Sequence, residues 1–157
     1  MDIIDSRSAF HDALRDALAE VARVGSRELL LADPDFADWP LGERAVLEAL
    51  TQWAQAHRRL TLIAASFDEV PRRHARFVEW RRTWAHVIEC RSNTEIETQA
   101  FPTMLLAPGL LAVRLVDRVH VRGSITRDAA DLLRWREMLD ELLQRSEAAF
   151  PATLLGL

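Results

Sequence analysis

Leu110 to Ser124, LLAVRLVDRVHVRGS, is the stretch on which the reading of this chain turns. Apolar and polar residues alternate along it, which is the period of a strand with one buried face. The alternation breaks at Asp117-Arg118, where a tight turn fits. The stretch therefore predicts a hairpin of two strands, Leu111 to Val116 and Val119 to Arg122, running into Gly123-Ser124. One face carries Val113, Leu115, Val119 and Val121; the other carries Arg114, His120, Arg122 and Ser124.

Upstream of the hairpin the pattern is different. Phe10, Ala13, Leu14, Ala17, Leu18 and Val21 recur at three- and four-residue spacing and predict a helix from about Ser8 to Val24, capped by Ser6 or Ser8 and ended by Gly25. Arg27 to Ala32 and Leu60 to Ala65 are short apolar runs without alternation, the signature of strands buried on both faces. A helix from about Glu43 to His57 lies between them, and a third from about Arg72 to Trp84 precedes a strand at His86 to Cys90. Ser92 to Pro108, with two prolines around Met104-Leu-Leu, reads as a long irregular connection with room for one short strand. The last helix spans about Asp128 to Ala149, with Leu132, Leu133, Trp135, Met138, Leu139, Leu142 and Leu143 on a broad apolar face. The expected fold is α/β: one domain over residues 1–157, with a mixed, mostly parallel sheet flanked by helices, in the order helix, then β-α-β-α-β-β-β-α.

Composition narrows the function classes. Apolar residues make up 49% and charged residues 28% of 157, as in an ordinary globular domain. No apolar run approaches the roughly 18–20 residues that cross a bilayer, and the opening MDIIDSRSAFHDAL lacks a secretory pattern, so the expectation is a cytoplasmic protein without a membrane partner. The single cysteine, Cys90, excludes an internal disulfide, and its apolar setting reads as a buried thiol. The net charge of −4 argues against a general nucleic-acid coat but leaves room for a local basic patch. All 20 basic residues are arginine, consistent with a GC-rich coding sequence, so chemistry that needs a lysine amine is excluded.

The element order and the hairpin resemble one half of the phospholipase D superfamily fold. Those proteins carry His-x-Lys-(x)4-Asp, followed about six residues later by Gly-Ser-x-Asn. Asp117 matches the motif aspartate, and Gly123-Ser124 match the Gly-Ser pair with one intervening residue fewer. The histidine position falls on Leu110, the lysine position on Ala112 and the asparagine position on Thr126. In that family the histidine attacks phosphorus and the lysine stabilises phosphoryl charge. Leucine cannot attack and alanine cannot donate, so the resemblance implies a degenerate, non-catalytic member with no catalytic residue, no metal and no cofactor. It also implies a homodimer, because a single half needs a second. The apolar last helix and the PATLLGL tail offer an interface for that copy or for another protein partner.

Other readings rest on the residues alone. His120-Val-Arg122 with Asp128 superficially resembles a shifted motif frame, with arginine for lysine and no Gly-Ser afterwards. Arg114, His120, Arg122 and Ser124 form an anion pocket if the two strand faces coincide; otherwise they line the solvent side of a half-buried hairpin. Arg72, Arg73, Arg76, Arg81 and Arg82, with Trp80 and Trp84, suggest a stacking and phosphate-binding helix; the alternative is an exposed helix face, on which Arg72, Arg76 and Arg73 make one solvated strip. Asp33, Asp35 and Asp38 lack the glycine and terminal glutamate of a calcium loop. His11, His57, His74 and His86 show no metal-site spacing, and no phosphate-cradling glycine loop exists. Two functions follow: a non-catalytic interaction or scaffold domain, or a module that binds nucleic acid or a phosphorylated ligand.

Overall fold

A computed structural model describes residues 2–55 and 57–151. The chain runs β1 (Asp2–Ile4), α1 (Arg7–Val24), β2 (Glu28–Ala32), α2 (Arg44–Trp53), β3 (Arg59–Ala64), α3 (Glu69–Arg73), α4 (Ala75–Thr83), β4 (Ile88–Ser92), a short 3-10 turn (Thr98–Ala100), β5 (Thr103–Ala107), β6 (Leu111–Asp117), β7 (Arg122–Thr126), α5 (Ala129–Gln144) and β8 (Glu147–Ala148). All eight strands join one mixed sheet in the order β1-β7-β6-β5-β2-β3-β4-β8. The expected α/β architecture is present. Its parallel character is confined to β2, β3 and β4; every other pairing is antiparallel.

Local chemistry accounts for the helices. Ser6 caps α1 by accepting from the Ala9 amide, and Gly25 closes it in the left-handed conformation at φ 79°. Asp128 caps α5 by accepting from the Asp131 amide. The expected single helix over 72–84 is instead two, because His74 leaves helical geometry between α3 and α4. Its buried ring explains the break. Nε2 lies 2.8 Å from the Phe36 carbonyl, which can only accept, so the imidazole donates to a distant loop. The last helix stops at Gln144 rather than near Ala149, and Glu147–Ala148 pair with β4 instead.

The sheet separates two apolar layers. Leu29, Leu31, Leu60, Leu62, Leu105, Val113 and Leu115 pack toward α1, α2 and α4. Leu30, Ala32, Ile63, Met104, Leu106 and Ala112 pack toward Leu132, Leu139 and Leu142 of α5. Each fully buried leucine contributes roughly 1.5–3 kcal/mol. Met104-Leu-Leu takes the room left for one short strand: it is β5, fully buried between β2 and β6. On α5, Leu133 lies outside the buried stripe and is exposed. Of the PATLLGL tail, residues 152–157 lie outside the described residues. Among the described residues no helix is long and apolar enough to cross a membrane.

The hairpin has a different register from the one expected. β7 begins at Arg122, so Gly123-Ser124 lie within the strand, and residues 118–121 form the turn with Val121 at φ 52°. Val119 is therefore exposed rather than on the apolar face. Leu115 pairs with Gly123 and Asp117 with Arg122, which leaves Val116 as the extra residue of a β-bulge. Gly123 is required there. A Cβ on it would lie 1.9 Å from the Arg114 carbonyl oxygen and 2.8 Å from the Leu115 Cα, both backbone atoms that no rotamer change can move.

Two outcomes follow from this packing. Gly123→Ala should lower stability by about 2–3 kcal/mol in urea denaturation, the cost of forced overpacking; an unchanged midpoint would contradict the bulge geometry. Burial pushes the Cys90 thiol up to about 11, with Arg81 pulling against the shift. An aromatic disulfide reagent at pH 8 should accordingly label Cys90 slowly in the native protein and fully after unfolding. Fast native labelling would mean that the strand opens.

Candidate functional site

Alternation along β6 sends Ala112 and Arg114 to the α5 side of the sheet, while Val113 and Leu115 face α1. Arg114 is directly opposite Ser124, and Ala112 is opposite Thr126. Toward the sheet margin Ile3 pairs with Ser124 and is exposed. The α5 helix covers the inner strands but leaves the outer part of this face open, and Arg114 stands at the boundary.

Arg114 is half-buried, with its guanidinium carbon 4.1 Å from the centroid of the Trp135 ring. The Arg134 guanidinium carbon lies 4.9 Å from the same ring. Arg134 is balanced by Asp131 at 2.6 Å. Arg114 is not: among the described residues its side chain has neither an ion pair nor a hydrogen bond. Burial first, and then the Arg134 charge, push Arg114 below the usual guanidinium range. An arginine does not shed its proton in a protein. Its charge is therefore held against burial and a like charge, a cost that an approaching anion relieves. The stacked indole holds the guanidinium in place by a cation–π contact.

The other expected anion ligands go elsewhere. His120 sits in the turn, where Asp117 accepts from its backbone amide at 3.1 Å and lies 2.8 Å from its Nδ1. These hydrogen bonds hold the Asp117 carboxyl below its usual range. Asp117 thus organises a turn. Arg122 donates to the carbonyls of Asp5 at 2.5 Å and His120 at 2.7 Å, tying the hairpin to the chain after β1. Of the expected set, the structure joins Arg114 and Ser124; His120 and Arg122 each have local partners.

The positions of the implied catalytic pair are also distinct. Leu110 lies in the β5–β6 turn, partly buried against the α1-side core. Ala112 is fully buried under α5, in contact with the layer that contains Leu106 and Leu132. Thr126, at the asparagine position, accepts from the Asp128 amide at 3.3 Å and lies 3.4 Å from the Asp131 carboxylate, beside the α5 N-terminus.

The remaining candidates resolve into structural roles. Arg72, Arg73 and Arg76 are exposed, whereas Trp80 is buried and donates its indole N–H to the Thr51 hydroxyl at 2.9 Å. That tryptophan offers no stacking platform. The three aspartates after β2 diverge. Asp33 is buried and accepts from Thr103 at 2.6 Å and from the Phe36 amide at 2.8 Å. Burial raises its carboxyl above the usual range, against the pull of those donors. Asp35 accepts from the Ala37 amide, and Asp38 pairs with Arg7 at 2.6 Å. Sequence reading missed Trp135 and Arg134 as partners of Arg114, although their places on α5 were visible.

No protein-family model matches the chain, and no curated protein matches it. Solved structures do. TrmBL2, an archaeal chromatin protein whose structure shows a novel mode of DNA binding, aligns with a TM-score of 0.66 at 12% identity, over 94% of this chain and 53% of its own. The chain thus spans about half the length of TrmBL2. Nuc, a phospholipase D family member from Salmonella typhimurium, aligns with a TM-score of 0.56 at 5% identity, over 86% of this chain and 90% of its own. At these identities the likeness is one of fold: the chain is a mixed α/β domain, and its likeness to Nuc is consistent with a phospholipase D-like architecture.

Proposed function

We propose that this domain is a non-catalytic binding module for a phosphate-bearing ligand, with nucleic acid as the ligand class. The observation that carries the reading is the half-buried, unbalanced Arg114 held on Trp135 beside Arg134. The Arg114 guanidinium on its indole, directly opposite Ser124 in the sheet and beside the Asp131-paired Arg134, forms a cationic spot on an open sheet face. Phosphate oxygens suit such a spot because guanidinium forks match them in geometry and charge. The DNA binding described for TrmBL2 supports this ligand class, since this fold makes up about half of that protein.

The non-catalytic part rests on side-chain chemistry. Leu110 and Ala112 stand where the phospholipase D motif has its nucleophile and its lysine, and the buried Ala112 leaves no room for either. His120, the nearest histidine along the chain, is engaged with Asp117 in the turn. Arg114 and Arg134 take the role of phosphate contacts, and Ser124 that of a hydroxyl donor.

Intrinsic tryptophan fluorescence during titration with a single-stranded DNA oligonucleotide, at two salt concentrations, tests the proposal. Binding should saturate and weaken as salt rises. Arg114→Ala should lower affinity about tenfold and reduce the salt slope by about 0.7, the loss of one phosphate contact. Arg76→Ala, on the exposed α4 strip, should bind like the parent. No response at low salt, or an Arg114 variant identical to the parent, sinks the nucleic-acid reading in favour of a protein-binding domain. Phosphodiester hydrolysis that disappears in His120→Ala would overturn the non-catalytic assignment.

A further inference from the structure

Arg81 occupies a core position. Phe77, Trp80 and Arg81 share the inward face of α4, and Arg81 is only 6% exposed. One terminal nitrogen reaches the Ile88 carbonyl at 3.4 Å and the other the Phe150 carbonyl at 3.2 Å. Its Nε has no hydrogen-bond partner, and among the described residues no carboxylate lies within ion-pair distance. Carbonyl dipoles satisfy some of its donors but leave its charge unbalanced. A guanidinium kept only for packing in such a place is usually bettered by an apolar side chain.

Arg81 does not face sealed core. It lines a cleft of about 560 Å³ between the C-terminal end of α4 and the β4–β8 margin. That volume falls within the roughly 300–1,000 Å³ typical of small-molecule sites. Arg59 and His86 line the same cleft, together with one carboxylate, Glu89. Glu89 is already shared between Arg59 at 3.5 Å and Arg91 at 3.6 Å, so cationic charge is in excess. Ile88, Ala149 and Pro151, next to Arg81, give the cleft an apolar wall. This wall is fixed in place. Ala149 donates to the Cys90 carbonyl at 2.9 Å, and Phe150 stacks on Phe67 with centroids 5.4 Å apart.

We propose that this cleft binds a small organic anion, its carboxylate or phosphate on Arg81 and Arg59 and its apolar body against Ile88, Ala149 and Pro151. The site is separate from the Arg114 face and does not depend on it. An apolar wall beside cationic side chains selects a molecule with both characters. Inorganic phosphate lacks the apolar body, and a neutral aromatic lacks the charge.

Isothermal titration with benzoate, phenyl phosphate, inorganic phosphate and benzyl alcohol tests the assignment. Benzoate or phenyl phosphate should bind saturably and raise the melting temperature, and whichever binds tighter identifies the head group. Inorganic phosphate and benzyl alcohol should bind at least about tenfold more weakly, the loss of either half of the recognition. Arg81→Met should abolish binding while leaving the melting temperature of the free protein equal or higher, because a buried unbalanced charge has gone. Arg59→Gln, at an exposed rim position, should weaken binding about fivefold with no change in folding. Absence of binding by either aromatic anion up to about 10 mM overturns the proposal. So does undiminished binding by Arg59→Gln, which decides the matter if Arg81→Met fails to fold. Arg114→Ala should bind these probes like the parent, which separates this test from the preceding one.

Discussion

Leu29, Leu30, Leu31 and Ala32 are all fully buried, and this constraint shapes the rest of the molecule. Successive strand residues point to opposite faces, so four consecutive buried positions demand cover on both sides of β2. The helices α1, α2 and α4 supply one layer and α5 the other. Because β2 is central, its neighbours β3 and β5 must be almost as apolar, and they are. Function is thereby displaced outward. Charged groups that face a cavity or an open surface occur at the ends and margins of the sheet, where one of the two layers gives out.

Arg114 and Arg81 show two versions of that displacement. Each is an arginine at the limit of an apolar layer, and each carries charge that no described carboxylate neutralises. Arg114 sits where α5 ceases to cover the sheet and is steadied by an indole. Arg81 sits where α4 runs out above the β4–β8 margin and is steadied by two carbonyls. The first faces an open surface suited to an extended polyanion. The second faces a cleft of limited volume suited to a compact molecule.

Much of the architecture was legible in the sequence because burial on two faces leaves an unmistakable trace. The runs Leu29–Ala32 and Leu60–Ala64 lack alternation and mark the parallel strands. The stripe from Phe10 to Val21 marks α1. Met104-Leu-Leu carries the same trace, but its flanking prolines, Pro102 and Pro108, suggested irregular chain; they bound the strand instead of interrupting it. The shortest strands, β1 and β8, are too brief to show any period. The break at His74 depends on a carbonyl 38 residues away, which no local pattern encodes. At the candidate site, alternation correctly put Arg114 and Ser124 on one face. It misplaced His120 because residues 118–121 form the turn and β7 begins only at Arg122, whose guanidinium is taken up by the Asp5 carbonyl. Arg81 belongs to the basic cluster of residues 72–82, yet its four-residue spacing from the buried Phe77 marks its inward phase.

The two margins of the sheet have a consequence for association. A sheet edge recruits foreign strands by offering a row of unpaired amides and carbonyls, and the length of that row sets how well a newcomer is held. Here one margin is a three-residue strand and the other a two-residue strand. Neither presents a template long enough for lasting strand addition. The brevity of its outermost strands thus limits the template that the sheet offers for sideways growth.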